Sequence, residues 1–400
     1  MNVLSLNCGS SSLKYSLRRM PEETVLCHGE ARRIGARTAQ PPEVVHQANN
    51  QTTRVTLDSY GYDDAFAKIL EVLGGDSDAS PQLVSHRIVH GGTQFHGPTL
   101  VDDEVVNQLE AIQHLAPIHN PPAIAVLKAC RSQMGPVPQI CVFDTAFHAT
   151  IPEYAYTYPL PKDLIQELGI RKYGFHGISH QYVASEAARL LGKPLEEFNA
   201  VSCHLGTGGA SLCAIRNGQS VDNTMGLTPL QGLVMSTRSG DIDPGLVLRL
   251  LHESDGDVTE TERLLNKRSG ILGITENSAD LRDLLQDSKD GDDDAEGQGR
   301  ALYIYAWRLR KYLGSYLALL ENPDAIIFTD TLGETVPVVR ALGCSGLECF
   351  GVNLDSKRNQ HATELPADIA TADSKVRVLV IHTDEELALA RMAMSDMVMA

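Results

Sequence analysis

No apolar run in this 400-residue chain reaches the length needed to span a bilayer, which argues against a transmembrane helix. The opening residues Met1-Asn2-Val3-Leu4-Ser5-Leu6 lack the basic flank, apolar stretch and cleavage site of a secretory signal, so export is not expected. The eight cysteines form no CxxC pair and no Cys/His metal spacing. That pattern argues against a disulfide framework and for buried free thiols in the reducing cytoplasm. Positive charge is also scarce. A formal net charge of −17 argues against a nucleic-acid partner, and neither nucleic acid nor membrane is expected to bind. Anionic substrates stay compatible with this charge if the cations that bind them are local. Acid is locally dense in Asp287-Ser288-Lys289-Asp290-Gly291-Asp292-Asp293-Asp294, which reads as a solvated loop.

What is present points to two domains of mixed structure. The length exceeds what one core usually supports, and 42% hydrophobic residues suffice for more than one. Val3 to Leu6 and Leu13 to Leu17 read as strands joined by the small-residue turn Asn7-Cys8-Gly9-Ser10-Ser11-Ser12. A second hairpin of this kind follows: Ala200 to Cys203, the turn His204-Leu205-Gly206-Thr207-Gly208-Gly209, then Ala210 to Ile215. One such hairpin per half indicates a duplicated architecture. Tyr62 to Leu73, Val105 to Gln113, Ala184 to Leu191, Leu302 to Leu320 and Glu385 to Met399 read as helices. Gln139 to Phe143, Ala325 to Phe328 and Arg377 to Ile381 read as buried strands, giving an α/β class. Pro117 to Pro122 and Pro152 to Pro161 punctuate the chain, the second as a domain junction.

Several segments carry residues suited to moving a phosphoryl group onto an anion. Such a reaction needs positive charge around the phosphoryl oxygens, and a carboxylate acceptor needs no base because it is already ionised. Arginine is the expected solution, since its planar fork grips carboxylate or phosphate at two points. Arg87 lies in His86-Arg87-Ile88-Val89-His90-Gly91-Gly92 and Arg238 in Thr237-Arg238-Ser239-Gly240-Asp241. His176 stands between glycines in Tyr173-Gly174-Phe175-His176-Gly177, and Asp144 ends a strand in Phe143-Asp144-Thr145-Ala146-Phe147-His148. Taken singly, each has a plain alternative: a solvated charge, a turn residue or a helix cap. Their joint occurrence in one chain favours chemistry.

Asn7-Cys8-Gly9-Ser10-Ser11-Ser12-Leu13-Lys14 and the Arg87 segment resemble the two signature motifs of the acetate kinase family. Pro117-Ile118-His119-Asn120-Pro121, the Asp144, His176 and Arg238 segments, and Thr383-Asp384-Glu385-Glu386-Leu387 resemble further family motifs, in order from end to end. The resemblance implies an α/β fold of two duplicated actin-like, ribonuclease H-like domains around a central cleft. Residues 1–150, completed by a helix over 385–400, would form the first domain. Residues 151–384 would form the second, with the nucleotide pocket and a homodimer interface. The implied activity is reversible phosphoryl transfer from ATP to acetate, with ATP and ADP as co-substrates and Mg²⁺, or Mn²⁺ in its place, held by Asn7 and Glu385. Lys14 would lie near the nucleotide phosphates and Arg87 would bind the substrate carboxylate. His176 and Arg238, assisted by His119, would stabilise the transferring phosphoryl. The family gives Asp144 the part of proton donor or acceptor. With an ionised nucleophile, the carboxylate is better read as orienting an arginine or a metal-bound water. Val89, Ile118, Phe175 and Pro229 match the small acyl pocket, and valine at 89 resembles the acetate-preferring members.

Departures from the family cluster around the nucleotide. The phosphate loop His204-Leu205-Gly206-Thr207-Gly208 carries threonine where asparagine is usual, and Ser236 replaces a glycine. The adenosine motif, usually Gly-Ile-Gly-Glu-Asn, reads Thr331-Leu332-Gly333-Glu334-Thr335 after Asp330. A β-branched residue at 331 leaves two readings: neighbouring shifts accommodate it and ATP still binds, or it fills part of the adenosine pocket and the donor is altered. Asp280-Leu281-Arg282, which would contact the nucleoside, is retained, and His382 stands where proline is usual. The alternatives are a pyrophosphate- or phosphate-dependent acetate kinase, and a nucleotide-binding protein of the same fold that transfers nothing.

Overall fold

The computed structural model describes residues 1–74, 80–287 and 295–399, so residues 288–294 of the acidic run lie outside the described residues. The chain divides into two compact units, Met1–Phe147 with Asp384–Ala400, and His148–Thr383.

The first unit is built on β1 (Asn2–Cys8), β2 (Ser12–Arg19), β3 (Thr24–Arg32), β4 (Glu43–Ala48), β5 (Gln51–Thr56), β6 (Leu83–Ile88), β7 (Thr99–Leu100) and β8 (Gln139–Phe143). These form one sheet in the order β5-β4-β3-β2-β1-β6-β8-β7. The second unit contains β9 (Ala200–Leu205), β10 (Ala210–Arg216), β11 (Gln219–Asn223), β12 (Ala325–Thr329), β13 (Ala367–Asp368) and β14 (Arg377–Val380), in the order β11-β10-β9-β12-β14-β13.

Both sheets are wound the same way. In the first, β1 pairs antiparallel with β2 and parallel with β6, while β3 lies outside β2 and β8 outside β6. In the second, β9 pairs antiparallel with β10 and parallel with β12, while β11 lies outside β10 and β14 outside β12. The two glycine- and serine-rich hairpins hold equivalent places, so the duplication is one of topology.

Central strands in such sheets are covered on both faces and read as apolar runs. β1 and β6 are apolar along much of their length, with Ser5 and Ser85 fully buried among the exceptions. Their hydroxyls donate to Glu386 O at 2.7 Å and Leu389 O at 3.0 Å, carbonyls of the C-terminal helix Glu385–Met399. Small residues on that helix, Ala388, Ala390 and Ala393, let it lie close to the sheet of the first unit. The helix Asn120–Met134 begins inside the stretch read above as punctuation. Prolines occupy its first turn, where their missing N–H groups would have no helical partner anyway.

Candidate active site

In the first unit the site forms at the carboxyl ends of parallel strands, the usual ligand edge of an α/β sheet. β1 and β6 run parallel with Leu6 opposite His86, so Asn7 and Arg87 come next along neighbouring strands. Asp144 follows the end of β8, and Glu385 opens the C-terminal helix. The Arg87 guanidinium collects all three. Its Nε and Nη2 donate to the Asp144 carboxylate at 3.1 and 2.7 Å, and its Nη1 donates to Asn7 Oδ1 at 2.9 Å and Glu385 Oε2 at 3.0 Å. Asn7 Nδ2 completes the ring by donating to Glu385 Oε2 at 2.9 Å.

Burial opposes the charge of Arg87, but Asp144, Glu385 and Glu386 more than offset it and hold its pKa above the ordinary value. These bonds leave one N–H, on Nη2, open to a ligand among the described residues. Asp144 is buried. Lys14 is exposed, opposite Asn7 across the β1–β2 hairpin. Val89 is half-buried beyond β6, Ile118 is 54% exposed, and His119 precedes the helix Asn120–Met134.

In the second unit the β9–β10 turn carries the phosphate-loop sequence. Glycine is required at 206, because a Cβ there would stand 2.6 Å from Asp330 Oδ2 and 2.8 Å from Gly209 O. A Cβ on Gly209 would stand 3.4 Å from both Arg238 Nη1 and His176 Nε2, so the two predicted phosphoryl-handling side chains converge on this loop. His176 has a left-handed backbone, φ 59°, at the start of the helix Gly177–Leu190. Its Nδ1 lies 2.8 Å from Ser211 Oγ, and its ring stacks on His204 with centroids 4.2 Å apart. Arg238 has no carboxylate partner among the described residues. Its Nη1 donates to Pro229 O at 3.4 Å, and burial lowers its pKa. Phe175 is buried and Pro229 half-buried.

A small pocket adjoins the loop, lined by Thr207, Ser236, Asp280, Leu281, Tyr305 and Leu332 among others. Leu332 is the one adenosine-motif residue in that lining. Neither Thr331 nor Thr335 belongs to that lining. Thr331 Oγ1 donates to Asp330 at 2.9 Å, and Thr335 Oγ1 donates to Thr331 O at 2.6 Å. Arg282 folds back on Asp280, its Nη2 donating at 2.6 Å. Gly333 and Glu334 are held through their carbonyls by buried Arg340, at 2.8 Å each.

Residues at the departing positions find partners inside the second unit. Ser236 Oγ donates to Thr207 O. His382 Nδ1 lies 2.8 Å from Glu334 Oε2. Asp330, with φ 61°, places Oδ2 2.9 Å from His204 Nε2, while His204 Nδ1 meets Ser179 Oγ at 2.9 Å. Both ring nitrogens of His204 are thus engaged by the protein. Burial raises the Asp330 pKa, but bonds from His204 and Thr331 outweigh it and keep the carboxyl ionised, well below the usual range.

Sequence reading missed Ser211, His180, Ser179 and Arg340. The available signal was polar residues on otherwise apolar strands: Ser202 and His204 alternate with Val201, Cys203 and Leu205 in β9. In the second unit Asp330 is a further omission, noted as a departure but given no partner.

The acetokinase family profile matches residues 2–391. The chain is 43% identical to the acetate kinase of Natranaerobius thermophilus over 400 aligned residues, covering 98% of each protein. Its structure superposes on that of Porphyromonas gingivalis acetate kinase with a TM-score of 0.92 at 36% identity, covering 99% of each chain. It superposes on a propionate kinase from Francisella tularensis with a TM-score of 0.90 at 35% identity, covering 98% of each. With two actin-like units and a family match running nearly end to end, this chain belongs to the acetokinase family.

Proposed function

We propose that the chain catalyses reversible, Mg²⁺-dependent phosphoryl transfer between ATP and acetate, giving acetyl phosphate and ADP. The observation that carries this reading, beside family membership, is the convergence of Arg238 Nη1 and His176 Nε2 on Gly209. A phosphoryl group in transfer spreads charge over its oxygens and is stabilised by such donors. Arg87 binds the acetate carboxylate, and Asp144 orients its fork. Both Asp144 oxygens accept from Arg87, which supports an orienting part over proton transfer. His119 assists His176 and Arg238, and Lys14 serves the nucleotide phosphates.

Asn7 and Glu385 would hold Mg²⁺, or Mn²⁺ in its place. They supply oxygen donors only, the hard set of an ion that keeps several waters and takes further ligands from substrate phosphates. When bound, the ion neutralises phosphate oxygens.

ATP as donor is supported by the end-to-end match to acetate kinases, and neither Thr331 nor Thr335 lines the pocket beside the phosphate loop. Val89, Ile118, Phe175 and Pro229 select the acyl group, with acetate preferred over propionate by about 1–3 kcal/mol for the added methylene. The cytoplasm is supported by eight free cysteines. A homodimer is supported by apolar side chains that the second unit leaves exposed, Tyr303 and Trp307 one helical turn apart.

The test is acetate-dependent acyl phosphate formation, trapped with hydroxylamine, with Mg²⁺ and either ATP or pyrophosphate. The reverse direction is assayed with acetyl phosphate and either ADP or phosphate. Activity with ATP and ADP is expected; activity with pyrophosphate alone overturns the donor. Equal kcat/KM for acetate and butyrate overturns the acyl assignment.

A further inference from the structure

Behind His176 lies a buried chain of serines and histidines in the second unit. His176 Nδ1 is 2.8 Å from Ser211 Oγ, Ser211 Oγ is 2.9 Å from His180 Nε2, and His180 Nδ1 is 2.9 Å from Ser202 Oγ. Ser202, Ser211 and His180 are fully buried. Among the described residues, Ser202 Oγ has no partner besides His180, and Ser211 Oγ none besides the two imidazoles.

We propose that Ser211 and His180 are positioning residues that set the tautomer of His176, keeping its proton on Nε2, the nitrogen nearest Gly209. The proposal rests on the part given to His176 above.

Counting protons decides the direction of the chain. Burial, then the imidazoles of His148 and His204, whose rings lie 5.9 and 6.2 Å away, hold the His180 pKa well below its ordinary value. A neutral imidazole carries one donor and one acceptor, and a hydroxyl has one proton to give. If His180 donated through Nδ1, the Ser202 hydroxyl would have no acceptor. An unsatisfied buried donor costs about 1–3 kcal/mol. In the opposite direction every proton is used. Ser202 O–H donates to His180 Nδ1, His180 Nε2–H donates to Ser211 Oγ, and Ser211 O–H donates to His176 Nδ1. His176 then accepts at Nδ1 and must hold its own proton on Nε2. The bond at one ring nitrogen thus fixes the state of the other. An Nε2–H is a donor for an anionic phosphoryl oxygen, whereas a bare Nε2 would repel it.

The experiment is ¹⁵N NMR of histidine-labelled full-length protein without substrates, paired with steady-state kinetics of Ser211→Ala, His180→Gln and His180→Ala. In the wild type, His176 is expected with a protonated Nε2 and an unprotonated Nδ1. Ser211→Ala should erase that preference and lower kcat about 10- to 100-fold, with KM for acetate and ATP unchanged. His180→Gln, whose amide N–H can still donate to Ser211, should retain more of kcat than His180→Ala. A wild-type His176 carrying its proton on Nδ1 overturns the proposal, and so does Ser211→Ala with wild-type kcat. The NMR measurement decides the proton position even if the wild type makes no acetyl phosphate, an outcome that would sink the acetate kinase reading instead.

Discussion

The two units each present a partly buried arginine but hold its charge in opposite ways. In the first, Arg87 is ringed by Asp144, Glu385 and Asn7, and its pKa is held up. In the second, Arg238 donates to a backbone carbonyl, meets no carboxylate among the described residues, and has its pKa pushed down by burial. A paired arginine is already aligned, so a ligand adds to a fixed fork with little reorganisation. An unpaired, desolvated arginine interacts more strongly with charge that develops near it. The difference supports the proposed division of labour, binding by Arg87 and transition-state stabilisation by Arg238.

The largest expected effect tests the unpaired arginine. Arg238→Ala should lower kcat about 10³-fold, near the lower bound for a cation serving phosphoryl transfer, with KM for acetate little changed. Steady-state acyl hydroxamate assays measure this, and wild-type kinetics in that variant would break the comparison. Next comes the paired arginine. Arg87→Ala should mainly raise KM for acetate. Because it removes the guanidinium from the buried Asp144 carboxylate, it should also cost about 3 kcal/mol of stability. Urea unfolding reads that loss, and Arg238→Ala, which abandons no carboxylate, should show no comparable loss.

A smaller effect contrasts the charged cluster of the first unit with the neutral imidazoles of the second. Burial pushes the buried His148 down to about 4 from its ordinary 6.5. Between those values the unfolded chain binds the proton that the folded chain refuses, so stability is full above pH 6.5 and falls as pH drops towards 4. The slope is about 1.4 kcal/mol per pH unit for one such histidine. His148→Gln, unfolded in urea at pH 7 and pH 5.5, should show a flatter loss than wild type; an unchanged slope would mean that His148 is charged when folded.

The smallest effect concerns Asp330, the acid that the second unit sets against its phosphate loop. Asp330→Ala removes a carboxylate beside Gly206 and releases His204 Nε2. MgADP affinity, measured by calorimetry, should rise about fivefold, close to 1 kcal/mol. Weaker binding would show instead that Asp330 serves the nucleotide.

Much of the fold was legible in the chain because its signals were local. The helix Tyr62–Leu73 and the strand Gln139–Phe143 coincide with their apolar patterns. The helix Gly177–Leu190 begins earlier than its apolar pattern, because its first turn is set by the left-handed turn at His176 and by polar residues. The helix Asn120–Met134 was hidden behind prolines that its first turn tolerates. In the candidate site, Asn7, Arg87, Asp144 and Glu385 were each named from motifs, and the structure brings the four together. The mutual bonds of Thr207 with Ser236 and of His204 with Asp330 were not legible, since residues in each pair are separated by long stretches of chain.

Apolar periodicity, turn chemistry and motif order therefore sufficed for the class of the fold, its duplication and the family, because each depends on residues close together along the chain. Folding alone settled which cation is paired, which serine meets which imidazole, and that Leu332 rather than Thr331 lines the pocket beside the loop. Those outcomes depend on strand register, burial and a fixed supply of donors and acceptors, which exist only once distant segments share one edge of a sheet.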